Sequence, residues 1–257
     1  MFRILWNSKS AMNANQEKLD SISNNLANVN TTGYKKVDAQ FKDLLSESFD
    51  RLGYPVNDKD AYTGTGVRTT EWSRDKTQGP MQETDIPTDV AIDGKGYFRI
   101  QAPTGEVAYT RAGAFNIDPM GRLVDSNGNK LYVEYANGYS EGNPKLDSKN
   151  LVINQDGSIL QKNGGKSEKI GTIPLYNAVG DDSMVSIGEN LYSPKPGVNM
   201  FRETDADINQ GYLEGSNVDM AQEFTDMIIT QRAFQLASKG VTTADEMWGM
   251  VNNMRGK

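Results

Sequence analysis

The chain has 257 residues, with 27 Lys and Arg against 34 Asp and Glu for a net charge of −7, and it contains neither cysteine nor histidine. Those absences exclude disulfides, thiolate and Ser-His-Asp catalysis and Cys/His zinc sites, and leave carboxylates, Lys or Tyr as the available acid–base groups. The acidic balance argues against a nucleic-acid partner, no apolar run approaches the ~20 residues of a membrane span, and a mean hydropathy of −0.62 suits a chain that keeps apolar surface for partners.

The N-terminus, MFRILWNSKSAMNANQ, lacks the apolar core and small-residue cleavage site of a secretory leader. Residues 1–28 read as a helix without proline, carrying Leu5, Met12, Leu19 and Leu26 at an interval of seven, joined by Ile22 and Val29. Asn24, Asn25, Asn28 and Asn30, then Thr31, Thr32 and Gly33, predict a stop near Val29, since Asn and Gly accept left-handed geometry. Val37, Phe41, Leu44, Leu45 and Phe49, spaced by four, three, one and four, suggest a short helix over 34–50. From Arg51 to about Gln82 the chain is polar and rich in Gly, Thr and Asp, which predicts an extended arm with at most isolated strands, packed on neighbouring subunits.

Residues 88–133 hold short apolar runs separated by turn signals every eight to twelve residues, the pattern of an antiparallel sandwich or barrel. The stretch from Asn116 to Val124 is echoed from Ile153 to Leu160, which predicts two related hairpins. Similar short runs continue through 151–201, and Pro194, Pro196 and Gly197 close the β body. Asn217 or Asp219 can cap the last helix, with Glu223 in its first turn. Met220, Met227, Phe234, Val241 and Trp248 then recur at an interval of seven, with Ala237, Ala244 and Val251 alongside. From Val218 to Met254 this helix could run about 50 Å, with Gly240 and Gly249 as weak points.

Chemical motifs are weak. Gly94-Lys95-Gly96 reads as a hairpin turn, not a phosphate loop, because no helix follows it. Asp125-Ser126-Asn127-Gly128-Asn129 has the opening of a calcium loop but Ala136 where the bidentate Glu belongs, so a turn is the better reading. No carboxylate pair is set in apolar surroundings as an acid–base couple would be, which counts against a glycosidase. Gln231-Arg232, inside the last helix, is either a surface pair or a polar pair fixing helix register. Tyr132, Tyr135 and Tyr139 would be the aromatic platform of a glycan-binding adhesin with a helical stalk, the rival reading from another class.

The segment Ser23-Asn24-Asn25-Leu26-Ala27-Asn28-Val29-Asn30-Thr31-Thr32-Gly33-Tyr34-Lys35 resembles the N-terminal signature of bacterial flagellar rod and hook proteins. Gln222-Glu223-Phe224 through Met227-Ile228, Gln231 to Phe234 and Thr243 to Met247 resemble their C-terminal signature. Asp89 to Phe98, Tyr109 to Phe115 and Ser186 to Tyr192 agree with the middle. Length and blocks favour the distal rod member over a proximal paralogue or a hook protein. Two departures stand out: the stretch from Leu45 to Gly64 is shorter than its counterpart, and Ala237 stands where Asn is expected.

The fold expected is α+β. Helices within 1–33 and 215–257 form a coiled-coil-like assembly domain, 34–82 and 202–214 connect, and 83–201 form a central, mainly antiparallel β domain. The assembly interface expected is Leu5, Met12, Leu19, Ile22, Leu26, Met220, Phe224, Met227, Phe234, Val241 and Trp248, with Gln231 and Arg232 as register candidates and Asn24, Asn25, Asn28, Asn30, Gly33 and Tyr34 as the family turn. The resemblance implies a structural, non-enzymatic axial protein of the flagellar basal body with no cofactor. Such proteins leave through the flagellar export apparatus without a cleaved leader. They polymerise helically into a torque-transmitting shaft beside other rod proteins, the hook protein and the basal-body ring components.

Overall fold

The computed structural model describes residues 2–44, 46–48, 62–140, 142, 144, 146–163, 166–180 and 183–255. They group into two compact units, one of 1–27, 36–75 and 218–257 and one of 28–35 and 76–217.

The first unit is built on two helices, α1 (Phe2–Ala27) and α2 (Met220–Arg255). Asp219 caps α2, its Oδ1 accepting from the backbone N–H of Ala221 at 2.8 Å and of Gln222 at 3.2 Å. Asn217 does not take that role; its amide donates to the Thr77 carbonyl at 3.1 Å. The helices run antiparallel. Asn25 Nδ2 donates to Glu223 Oε2 at 3.1 Å, and seventeen residues away on each helix Ser8 faces Gly240. A Cβ on Gly240 would lie 2.5 Å from Ser8 Oγ. The glycine therefore marks a close approach, and α2 continues unbroken through it and through Gly249.

Residues 34–50 are not a helix. Val37–Asp38, Phe41–Asp43 and Ser46–Ser48 are short strands, paired antiparallel with Ser73–Arg74, Val67–Thr69 and Tyr62–Gly64. The cause is local: Val37 gives its N–H to Asn25 Oδ1 and accepts from Asn25 Nδ2, both at 2.8 Å, so the backbone groups a helix would need are held by a side chain. Phe41 and Leu44 mimic helical spacing but are exposed, and Leu45 and Phe49 lie outside the described residues. The polar stretch expected to carry only isolated strands supplies the second limb of this ribbon, residues 51–61 again lying outside the described residues. The ribbon packs on α1 of its own chain. Val67 N donates to Ser10 Oγ at 3.3 Å, Thr69 bonds Glu17, and Lys18 pairs with Asp38.

The second unit is β-rich, and its strand pairs are antiparallel. A nine-stranded sheet runs in the order Asn116–Ile117, Leu123–Val124, Lys130–Leu131, Tyr97–Gln101, Val107–Thr110, Leu191–Pro194, Met184–Gly188, with Leu175–Ala178 and Met200–Glu203 branching from Tyr97–Gln101. A four-stranded sheet runs Glu134–Tyr135, Lys166–Thr172, Ser158–Asn163, Leu151–Ile153. Both feed one core, with Phe98 and Ile100 from the first, Ile153, Ile159 and Ile170 from the second, and Phe115 from the loop just before Asn116–Ile117. Phe98 and Phe115 meet edge to face at 5.6 Å.

The echoed segments are equivalent hairpins. Gly121 N donates to Asp118 O at 2.8 Å in one, and Gly157 N to Asn154 O at 2.9 Å in the other. Gly94-Lys95-Gly96, expected as a hairpin turn, joins strands that do not pair: Val90–Asp93 pairs with Asp207–Gln210, while Tyr97–Gln101 enters the large sheet. The Asp125 segment is a side-chain-closed turn, its carboxylate accepting from Asn127 N, Asn129 N and Asn129 Nδ2 at 2.8–2.9 Å.

Candidate assembly surface

The family turn lies in two parts, and each part locks one unit. In the helical unit Asn25 is buried and bonds both Val37 and Glu223. Lys36 reaches the other Glu223 oxygen at 2.6 Å, and Glu223 is 1% exposed. Burial works against the Lys36 charge, but the bond to Glu223 and its field outweigh that and raise the lysine above its ordinary 10.5.

In the β unit the lock is Glu214, whose side chain is fully buried. Lys35 Nζ lies 2.5 Å from Oε1, Arg111 Nη1 3.2 Å from Oε2, and Gly79 N donates to Oε1 at 3.0 Å. Lys35 also donates to the Thr77 carbonyl at 2.8 Å and Arg111 to the Gly94 carbonyl at 2.8 Å. Gly33 N bonds the backbone carbonyl of Glu214 at 2.8 Å. Gly33 sits at φ 68°, and a Cβ there would stand 2.5 Å from Ala112 N, so only glycine fits. Glu189 and Asn190, with φ 51° and 58°, form the two-residue turn of a hairpin, and Asn190 Nδ2 donates to Thr32 O at 3.0 Å. Signature residues from four distant stretches thus meet around one buried carboxylate.

The asparagines do not terminate α1 by left-handed geometry. Among the described residues none of Asn24, Asn25, Asn28 and Asn30 has positive φ. Asn25 bonds as above, the Asn28 carbonyl accepts from Thr31 N at 3.1 Å, and Asn24 and Asn30 are exposed. Tyr34 is buried.

Of the residues expected at the assembly interface, Ile22 is buried, while Leu5, Met12, Leu19, Leu26, Met227, Phe234 and Val241 are half-buried. Met220, Phe224 and Trp248 are exposed. Leu5, Trp6, Met12 and Val241 line an apolar hollow between the two helices. Gln231 and Arg232 are exposed, and Arg232 donates to Gln235 at 2.9 Å on the same helix. The buried polar residues of the helical unit are others, among them Ser21, Asn25, Glu223 and Thr230. Sequence reasoning passed over a second apolar row on α2: Ile229 is 61% exposed, Leu236 67% and Met250 59%. Ile229 and Leu236 are seven apart and Met250 lies fourteen further on, with Thr243 between, and the row begins two residues after Met227, about 200° around the helix. Tyr135 and Tyr139 pack on the β core and Arg99 stacks over Tyr132 at 4.3 Å, so the three tyrosines form no open platform. Among the described residues no group of three or more carboxylates is arranged to hold a metal ion, and no helix is long and apolar enough to cross a membrane.

Three family descriptions match the chain: flagella basal body rod protein over residues 5–35, flagellar hook protein FlgE/F/G D1 domain over 91–161, and flagellar basal body rod FlgEFG protein C-terminal over 209–254. The chain is 37% identical to the flagellar basal-body rod protein FlgG of Buchnera aphidicola from Acyrthosiphon pisum, covering 96% of this chain and 97% of that one. It belongs to the flagellar basal-body rod proteins. FlgG of Borreliella burgdorferi is 35% identical over 99% of both chains, and FlgG of Bacillus subtilis 36% identical over 99% of this chain and 100% of its own. A flagellar hook-basal body complex protein of Bacillus subtilis, FlhP, is also similar, at 31% over nearly the full length of both. This FlgG-like rod protein is a structural component of the flagellar basal body.

Proposed function

We propose that this rod protein polymerises through its terminal helices into the distal rod, the shaft that carries torque from motor to hook, in series with other axial proteins. One observation carries the reading: α2 has apolar residues on nearly opposite faces, and its own chain covers one of them. Met227, Phe234 and Val241, with Glu223, Thr230, Ala237 and Ala244, alternate by three and four along the face that includes the Asn25 and Ser8 contacts. That spacing supports a coiled-coil-like pairing with α1. Ile229, Leu236 and Met250 face away from it and are exposed. A helix apolar on both sides belongs inside a larger bundle, and in a homopolymer the remaining cover comes from helices of other copies. A heterologous contact of this kind that does not close on itself gives a filament. Covering one such side chain is worth about 1.5–3 kcal/mol, repeated at every contact.

Leu236→Asp tests this. Leu236 touches solvent in the single chain, so the melting curve should stay within about 0.5 kcal/mol of the parent, while assembly of purified protein, followed by sedimentation and electron microscopy, is lost. A variant that polymerises normally removes the reading.

A further inference from the structure

The β unit carries a cleft of about 230 Å³ that helix-driven assembly does not use. Lys35, Lys76, Lys95 and Arg111 line it, with Tyr97 and Asn177 between them. Glu214 answers two of these cations, and both its oxygens are already taken, by Lys35 at 2.5 Å and Arg111 at 3.2 Å. Lys76 and Lys95 are exposed. Lys76 donates to the Gly180 carbonyl at 3.1 Å and forms no ion pair among the described residues. Lys95 has no ion pair or hydrogen bond among the described residues. Its field reaches Glu203, which is bound by Asn177 at 2.9 Å. Among the described residues, four cations therefore line the recess against two carboxylates near it, Glu214 buried beneath and Glu203 beside Asn177, in a chain whose overall charge is −7. Positive charge gathered in a walled recess acts on an anion more strongly than the same charge on an open surface.

We infer that this cleft is a socket for an Asp or Glu side chain of a second copy of the chain. The inference rests on the assembly reading and adds to it a contact made by the β unit. Copies that each carry −7 repel one another, and a basic recess filled by a neighbour's carboxylate offsets that repulsion where the chains touch. The volume suits one carboxylate side chain better than a folded segment.

The test uses the full chain with Lys76→Glu and Lys95→Glu together. Both residues lie outside the Glu214 lock, so circular dichroism and melting should match the parent. The expected result is a several-fold rise in the concentration needed for assembly, with a weaker response to NaCl. Citrate at matched ionic strength should inhibit the parent and have no effect on assembly of the variant. A double variant that assembles at the parent's concentration, with the parent's salt response, overturns the socket. Citrate that binds the parent by calorimetry without altering assembly makes the cleft a site for a free anion and also overturns it. A parent chain that never assembles defeats the helix-driven reading first and the socket with it, an outcome distinct from a parent that assembles and a variant that matches it.

Discussion

Glu214 shows how one buried side chain can organise residues more than a hundred positions apart. Lys35 and Arg111 are nearly as buried as the carboxylate they share, so removing it strands two cations away from water. Glu214→Ala should cost about 3–5 kcal/mol of β-unit stability, measured by urea denaturation. A smaller loss would mean that water reaches the lysine and arginine. Lys36 gives a pH-dependent counterpart in the helical unit. Its pKa is raised in the folded chain, so its contribution is complete below 10.5 and is lost as pH rises through the higher folded value. Stability of the helical unit should therefore hold to about pH 10.5 and fall above it, and Lys36→Met should remove that alkaline step. At this scale the sequence was half legible. The Asn-rich turn and Gly33 stood out by residue type, but the asparagine roles were misassigned, because a side chain that mimics a strand partner looks the same in sequence as one that closes a helix. Glu214, between Leu213 and Gly215, gives no periodic signal at all.

Among the elements, the helices were readable because their apolar residues repeat at a fixed interval, and the two hairpins because their turn residues repeat. The ribbon over 37–74 was not. Val37, Phe41 and Leu44 fit a helical spacing, and what overrides it is Asn25, twelve residues upstream and invisible to any local window. The Gly94 turn failed for a related reason: turn chemistry announces a change of direction without saying which strand pairs next. Gly240 gives a sharp test of helix packing. Alanine there gains up to about 1 kcal/mol in helix propensity, and only the rotatable Ser8 hydroxyl must move aside. Gly240→Ala should leave the melting temperature level or raise it slightly. Gly240→Leu should lower it, because a branched side chain cannot fit between helices at that distance. Equal tolerance of both would mean that the helices are not in contact at Ser8.

For the whole molecule, composition already pointed to surface held in reserve, and the structure locates part of it on α2. The sequence reading found the row that α1 half-buries at Met227, Phe234 and Val241 and missed Ile229, Leu236 and Met250, which stay exposed among the described residues. An interval identifies a stripe; which stripe faces inward depends on the partner. Double substitution Ile229→Ser with Leu236→Ser should leave both units folded and raise the concentration at which polymer forms by at least about tenfold, if each loses even half of the burial expected of it. Light scattering across a dilution series would measure it, and an unchanged threshold would place the contact elsewhere.

The matched steps along the antiparallel helices leave a mismatch at one end. With Ser8 opposite Gly240, the first residues of α1 fall level with about Met247, and α2 runs on to Arg255. Roughly eight residues, or about 12 Å, project past their companion, and Trp248, Met250, Val251 and Met254 are all exposed there. Among the described residues the helix pair therefore has an apolar tip at this end. If neighbouring copies cover that tip, a chain stopped at Met247 should bind the ends of parent polymer without extending them, which light scattering on mixing the two would show.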